Sequence, residues 1–290
     1  MPTQASAILV NYNAGPELEV ALQSIAAELA GESWEAVVVD NASSDGSERV
    51  VERFAPHARV LQNRENVGFA RGVNQGLAAT DGPIVLIMNP DCKLAPGAFG
   101  TLRRELGRSD RVAIAGPRIL NPDGSLQGSA RGDPDMLTGL FGRTTLLRRV
   151  FPGFAISRRN VVDAAVADGV SVEVDWVSGA CMLARRTALA DVNGFDERYF
   201  LYWEDADLCR RLRGRGYHVH YVPAATAIHR VGHSSRDVRS SAIRAFHESA
   251  YLYYATHVAP TASPRRLAAR MLLAGRCWLK LQQSRPGVLA

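Results

Sequence analysis

Two groups of acids in this 290-residue chain stand where they can do chemistry. The first is Asn89-Pro90-Asp91, which follows the apolar run IVLIM at 84–88. A strand that reads as buried ends there on a rigid turn holding out one carboxylate. Asp40 closes the run EAVVVD in the same way, and Asn11 closes SAILVN. The second group is Glu204, Asp205 and Asp207, opening the stretch EDADLCRRLRGRGY behind Tyr199, Phe200, Tyr202 and Trp203. An aromatic wall raises a carboxyl pKa and makes it a better proton acceptor. Acids at the start of a helix and Arg210, Arg211 and Arg213 toward its end are also what dipole compensation alone produces. His218 and His220 share one face of a strand at the spacing of a metal pair, but no further ligand lies near them, which favours a structural role.

The elements that must position these groups alternate. SAILVNYN reads as a strand and PELEVALQSIAAELA as a helix with Leu18, Leu22, Ile25 and Leu29 on one face. A second strand, a helix over SSDGSERVVERFA capped by Ser44 or Asp45, a third strand ARVLQN, a helix GFARGVNQGLAAT and the strand GPIVLIM follow. Alternation of this kind predicts a parallel sheet flanked by helices, with ligands at the carboxyl ends of its strands. Asn11, Asp40 and Asp91 then share one edge.

That edge is not a dinucleotide or P-loop site, because the first turn, NYNAGPE, has a single glycine and no G-x-x-x-x-G-K-[ST] occurs. A dehydrogenase or nucleotidyltransferase on a similar sheet lacks its phosphate loop. Net charge is +5, yet residues 236–290 hold nine Lys/Arg against two Asp/Glu and the rest is nearly balanced, so the basic excess belongs to the tail. Cys92, Cys181, Cys209 and Cys277 show no C-x-x-C or zinc spacing, which indicates a reduced compartment. With no basic N-terminal leader and no run of about 20 apolar residues, a cytoplasmic chain is expected, held peripherally on the inner face of the plasma membrane if its tail binds lipid. Nothing points to nucleic acid.

The ordered set ILVNYN, VVVDNASSDGS, NRENVGFARGVNQG, LIMNPDCKL, VSGACMLARR, GFDERYFLYWEDADLCRRLRGRGY and AIHRVGHS resembles family 2 glycosyltransferases of the GT-A fold, and among them bacterial rhamnosyltransferase-like members. The resemblance implies an α/β fold with a mostly parallel central sheet flanked by helices and a C-terminal helical extension. It divides the chain into a catalytic domain at 1–235, with a nucleotide-sugar half at about 1–115 and an acceptor half at 116–235, and a basic extension at 236–290. It implies an inverting transfer of a sugar, rhamnose foremost, from a dTDP or UDP donor to a saccharide or lipid-linked saccharide in envelope polysaccharide assembly. Another donor such as UDP-galactofuranose, or a non-catalytic nucleotide-sugar-binding scaffold, are the alternatives.

By the same resemblance Asp205 is the general base and Glu204 its orienting neighbour. Asp40, with Asn11 nearby, meets the base of the nucleotide, and Asn41, Asn66, Gly68, Arg71, Asn89 and Asp91 complete the donor side. Capping is available from Ser43, Ser44 and Asp45, which leaves Asp40 free for that task. Arg71 either faces the diphosphate or is a solvated helix arginine. Asp91 and His229 are the implied ligands of Mg²⁺ or Mn²⁺; the alternative for His229 is a satisfied histidine at a strand end. Where the family reads Asp-x-Asp this chain has Asn89, so one carboxylate is a neutral amide. Trp176, Gly179 and Trp203 form the acceptor side; a core strand with one snug glycine would read the same for the first two.

Residues 121–170 lose periodicity, and a mobile loop over the acceptor cleft is expected there. In the tail, Leu267, Met271, Ala274, Trp278 and Leu281 make one helical stripe with Arg265, Arg266, Arg276 and Lys280 opposite, while Leu272, Leu273 and Leu279 interrupt the polar side. The stripe fits a membrane interface, packing on the catalytic domain, or a homodimer contact. All of this requires that the edge carrying Asp40 and Asp91 meet Asp205 across one cleft.

Overall fold

A computed structural model describes residues 3–133, 169–230 and 239–284. Strands β1 (Ala5–Asn11), β2 (Trp34–Asp40), β3 (Ala58–Gln62) and β4 (Ile84–Met88) run parallel in the order β3-β2-β1-β4. Helices α1 (Glu17–Glu28) and α2 (Phe69–Ala78) and a 3-10 helix at Ser47–Phe54 connect them. After the short β5 (Cys92–Leu94) and α3 (Ala98–Leu106), strand β6 (Val112–Leu120) continues the sheet. The short strands β7 (Ala130–Arg131), β8 (Val172–Glu173) and β9 (Trp176–Val177) precede β10 (Cys181–Arg185) and α4 (Arg186–Asp191). Helix α5 (Glu204–Gly214), strand β11 (His218–His229), helix α6 (Arg239–Tyr253) with a π turn at Tyr254–Val258, and α7 (Pro264–Gln283) are the last of the described elements. Among the described residues the sheet order is β3-β2-β1-β4-β10-β6-β11-β5, with β8 on β11.

Side-chain alternation on β1 sets the two faces. Ala7 and Leu9 meet Leu18, Leu22 and Ile25 of α1 together with Phe99 and Leu102 of α3. Ile8 and Val10 meet Val73 of α2, Leu189 of α4 and Leu208 and Leu212 of α5. The glycines of α2 are packing glycines, since a Cβ at Gly76 would stand 2.4 Å from Ile8 Cγ2 and one at Gly72 2.9 Å from Val10 Cγ1. Ile8 is fully buried and β-branched, so it has little freedom to retreat. Gly76→Ala is therefore expected to destabilise the fold by about 1–3 kcal/mol despite its better helix propensity. Urea unfolding checks this, and an unchanged or higher midpoint would contradict the packing.

Two local expectations change, and a third falls largely outside the described residues. The segment after β2 is a 3-10 helix that begins at Ser47 behind Gly46 (φ 74°), and neither Ser44 nor Asp45 caps it with a helix-type bond. Asp45 instead accepts from the Ser47 and Gly15 N–H groups. β10 runs antiparallel between β4 and β6, which alternation alone does not foretell. Of the stretch expected to be a mobile loop, residues 134–168 lie outside the described residues; 121–133 make a tight turn at Asn121–Ser125 and the strand β7, paired with β9.

Helix α6 packs against the segment that leads into α5. Phe246 and Tyr253 lie 5.9 and 5.3 Å from the Trp203 ring, and Ser249 Oγ donates to the Leu201 carbonyl. Below them His257 Nε2 contacts Asp207 Oδ1 at 2.6 Å while Arg211 Nε holds Oδ2 at 2.7 Å. Asp207, fully buried, thus ties α5 to the tail.

Candidate active site

The turn Asn89–Asp91 leaves β4 at its carboxyl end, and two non-local pairings decide what it meets. Antiparallel pairing of β5 with β11 sets Cys92 opposite His229, the last residue of β11. His229 Nε2 therefore lies 3.2 Å from Asp91 Oδ1 and 3.3 Å from Asn89 Nδ2. Gln127 Oε1 sits 2.9 Å from His229 Nδ1, while Gln127 Nε2 donates to the Leu120 carbonyl and Asn121 Oδ1. Gln127 Oε1 can only accept, so His229 Nδ1 donates to it, and Nε2 faces the Asp91 oxygen and the Asn89 amide, a position that a proton or a cation would complete.

The second pairing is that of β10 beside β4. The Asn89 N–H donates to the Ala180 carbonyl at 2.9 Å, and one residue earlier the Gly179 N–H donates to Asp205 Oδ2 at 2.9 Å. The turn 178–180 thus joins the Asn89–Asp91 corner to Asp205 on a single sheet edge. Gly179 makes the approach feasible, because a Cβ there would already stand 3.3 Å from Asp205 Cβ. Asp205 Oδ1 accepts from the Ala206 N–H at 2.8 Å.

Helix α5 is aimed by strain. Tyr202 (φ 69°) and Trp203 (φ 70°) are consecutive non-glycine residues in the left-handed region just before Glu204, a conformation that costs on the order of 1–3 kcal/mol per residue and collects at functional sites. Glu204 is buried, and its Oε2 has no hydrogen-bond partner; Trp203 Nε1 and Tyr199 OH are likewise unpartnered. Burial, reinforced by the Asp205 charge, pushes the Glu204 carboxyl well above the usual carboxylate range. Burial also raises Asp205, against the opposing N–H groups of Gly179 and Ala206 and the charge of Arg131. Asp205 keeps part of its surface open and Glu204 does not, so Asp205 is the reachable proton acceptor of the two.

Carboxyls raised in this way favour the folded state fully below an ordinary carboxylate pKa of about 4, and that contribution is lost as pH rises through their elevated values. Glu204→Gln, which removes the cost, is expected to raise the melting temperature by about 2–6 °C at pH 8 and by much less at pH 5. Calorimetry at the two pH values checks it, and a lower melting temperature at pH 8 would contradict it.

At the carboxyl end of β2, Asp40 is fully buried and not free, contrary to expectation. It accepts from Asn11 Nδ2 (2.7 Å), the Ser43 N–H (3.0 Å) and Gln62 Nε2 (2.6 Å), because Ser43 turns its backbone toward Asp40 instead of capping a helix. About one acceptor position of the carboxylate remains. Asn11 also donates to Ser43 and Ser47, and its Oδ1 is buried without a partner. Asn41 bridges the next turn by donating to Asn66 Oδ1 and the Gly68 carbonyl and accepting from Asn63. Gly68 (φ 87°) lets that turn close on Phe200, whose carbonyl would be 2.5 Å from a Cβ there. Arg71 is half exposed, 3.9 Å from Glu197, a pair worth little.

Trp176 donates Nε1–H to the Gly132 carbonyl, and the Arg131 guanidinium covers one ring face at 5.1 Å. Trp203 is braced by α6, as described above. Gln127, Arg131, Phe246 and His257 are the residues that sequence reasoning missed: two lie in a stretch legible only as turns, and two in the tail. His218 and His220 pair with Glu173 and Glu105 at the opposite end of β11 from His229.

The family model described as Glycosyl transferase family 2 matches residues 6–165. The chain belongs to that family. It is 34% identical to the N-acetylglucosaminyl-diphospho-decaprenol L-rhamnosyltransferase of Mycobacterium tuberculosis, over 96% of this chain and 92% of that one. Over 82 residues, 28% of this chain and 31% of the relative, it is 48% identical to rhamnosyltransferase WbbL of Escherichia coli. Among solved structures, the mannosyltransferase PcManGT of Pyrobaculum calidifontis in complex with GDP-Man and Mn²⁺ superposes with a TM-score of 0.61 at 18% identity, covering 97% of this chain and 71% of that one. GalNAc-T7 with UDP, GalNAc and Mn²⁺ gives a TM-score of 0.62 at 15% identity, covering 97% and 57%. The glycosyltransferase fold is thus the GT-A fold that the motif series implied.

Among the described residues of this glycosyltransferase no group of three or more His, Cys, Asp and Glu side chains forms a metal cage. Asp91 and His229 offer two ligands of the oxygen and imidazole type, at a spacing that would suit a divalent cation completed by phosphate and water. No helix among the described residues is long and apolar enough to cross a membrane.

Proposed function

We propose that this chain is an inverting rhamnosyltransferase, moving rhamnose from a dTDP or UDP donor to a saccharide or lipid-linked saccharide in envelope polysaccharide assembly. The observation that carries the reading is the continuity of the edge: Asp91 and His229 at one end, Asp205 at the other, joined through Ala180 and Gly179. The names of the relatives from M. tuberculosis and E. coli support rhamnose, and the first of them supports a lipid-linked acceptor.

In this reading residues 1–115 hold the donor, 116–235 the acceptor, and 236–290 brace the acceptor side. Asn11 Oδ1 and the remaining acceptor position of Asp40 receive donors of the nucleotide, and Asn41, Asn66 and Gly68 shape the adjoining turn. Asp91 and His229 would hold Mg²⁺ or Mn²⁺, which neutralises charge on the departing diphosphate. Asp205 Oδ takes the proton of the acceptor hydroxyl as its oxygen bonds to the anomeric carbon, and the bond from that carbon to the diphosphate oxygen breaks with its electron pair leaving on the nucleotide. A single displacement inverts the anomeric centre. Glu204 orients the pair, and Trp176 and Trp203 flank the acceptor.

Release of nucleoside diphosphate from a panel of nucleotide sugars, with and without a saccharide acceptor, tests the reading. Acceptor-stimulated release from the rhamnose donor is expected. Tight binding without release for every donor would favour a scaffold, and preference for a galactofuranose donor would replace the sugar.

A further inference from the structure

Of the eleven large hydrophobic side chains that the described residues leave exposed, five fall within thirteen residues of α7. Leu267, Met271 and Trp278 are 62%, 68% and 60% exposed, and Leu272 and Leu279 both 53%. At about 100° per residue the first three lie within about 40° of one another and the other two extend the arc to about 140°. Leu272 and Leu279 therefore widen the apolar face instead of interrupting a polar one. The opposite side of the helix, with Ala269 and Leu273 buried, packs on α6.

The arc is bracketed by charge of one sign. Arg265 and Arg270 are exposed at its two edges, and α7 carries Arg266, Arg276 and Lys280 besides, with no acid in its twenty residues. Beside Trp278 and Leu281 the face continues into a groove of about 550 Å³ between α6 and α7, also lined by Arg244, His247, Glu248 and Tyr251. His247 is 7% exposed; its Nδ1 donates to the Ile243 carbonyl and its Nε2 has no partner.

We propose that this face of α7 is the surface by which the enzyme sits on an anionic lipid bilayer, with the apolar arc in the acyl boundary and Arg265 and Arg270 among the headgroups. Such a helix gains from burying its apolar side and from headgroup attraction together. A second copy of the chain fits less well, since a two-fold contact sets the same basic edges against each other. The surface lies one helix away from Trp203, so it would set the acceptor side of the cleft at the membrane; this location extends the transfer reading but does not depend on it.

The test uses the full-length chain, sedimented with vesicles of phosphatidylglycerol and phosphatidylcholine mixed, or of phosphatidylcholine alone. Binding to the anionic vesicles is expected, with a blue shift of Trp278 fluorescence and a several-fold loss on raising the salt. A Leu267→Ser, Met271→Ser, Trp278→Ser variant should partition at least about tenfold more weakly, while its melting temperature and its donor hydrolysis in solution stay at wild-type values. Wild-type protein that ignores anionic vesicles, a triple variant that binds as well as wild type, or a dimer abolished by the triple variant in the absence of vesicle binding would each overturn the proposal. Vesicle binding by a protein that hydrolyses no donor would leave the membrane surface standing and remove only the transfer reading.

Discussion

Asp205→Asn is expected to lower kcat by about 10²–10⁴-fold with donor binding nearly unchanged. The side chain is the proton acceptor that the proposed displacement requires, and the amide cannot take that proton. Its shape is otherwise tolerated: one oxygen still accepts from the Gly179 or Ala206 N–H, and the charge that burial disfavours is gone. Loss of activity without loss of the fold is thus the signature. Steady-state rates with separate measurement of donor affinity check it, and a fall in donor affinity matching the fall in rate would move Asp205 from acceptor activation to donor binding. For the active enzyme the rate should also fall as pH drops through the raised value of this carboxyl, since the protonated form is no base.

The second large effect is expected at Asp91. With Asn89 neutral, Asp91 is the carboxylate that this turn offers, and its Oδ1 stands 3.2 Å from His229 Nε2. Asp91→Asn should reduce kcat/KM by at least about 10²-fold and weaken Mn²⁺ binding in parallel. The Asp91 carbonyl, which accepts from the Arg230 N–H at 3.0 Å, is untouched by the change, so the β11 end should hold its place. Calorimetric titration with Mn²⁺ alongside kinetics distinguishes the outcomes: full Mn²⁺ affinity in the variant would remove the metal from Asp91, and unchanged kinetics after chelation would remove it from the reaction.

How much of this could be read from the chain differs by residue. Helix α1 was legible because Leu18, Leu22, Ile25 and Leu29 repeat with the helical period, and β1, β2 and β4 because an uninterrupted apolar run suits a strand buried on both faces. Asp91 was legible as chemistry because a buried strand has no structural need of a carboxylate at its end, and Asp205 through the aromatic residues in front of it and the motif resemblance, since helix-dipole compensation alone would also place an acid there. Their meeting was not legible. It rests on β10 entering antiparallel beside β4 and on Cys92 standing opposite His229, pairings set by tertiary contacts between residues far apart in the chain that leave no periodic trace. Asp40 shows the converse, for its spare acceptor capacity depended on which way Ser43 would turn, and the backbone bond between them is settled by the loop. Gln127, which orients His229, sits in a run whose residues signal only turns, and His257, which clamps Asp207, lies about fifty residues from its partner in a tail that reads simply as basic.

The most direct test of the whole account is acceptor-dependent release of nucleoside diphosphate from a nucleotide-activated rhamnose in the presence of Mn²⁺, comparing the wild-type chain with Asp205→Asn and Asp91→Asn. Release by the wild type, lost in the first variant with donor affinity intact and in the second together with Mn²⁺ affinity, is the predicted result. Equal release by all three proteins would show that the edge from Asp91 to Asp205 is not where the sugar is transferred.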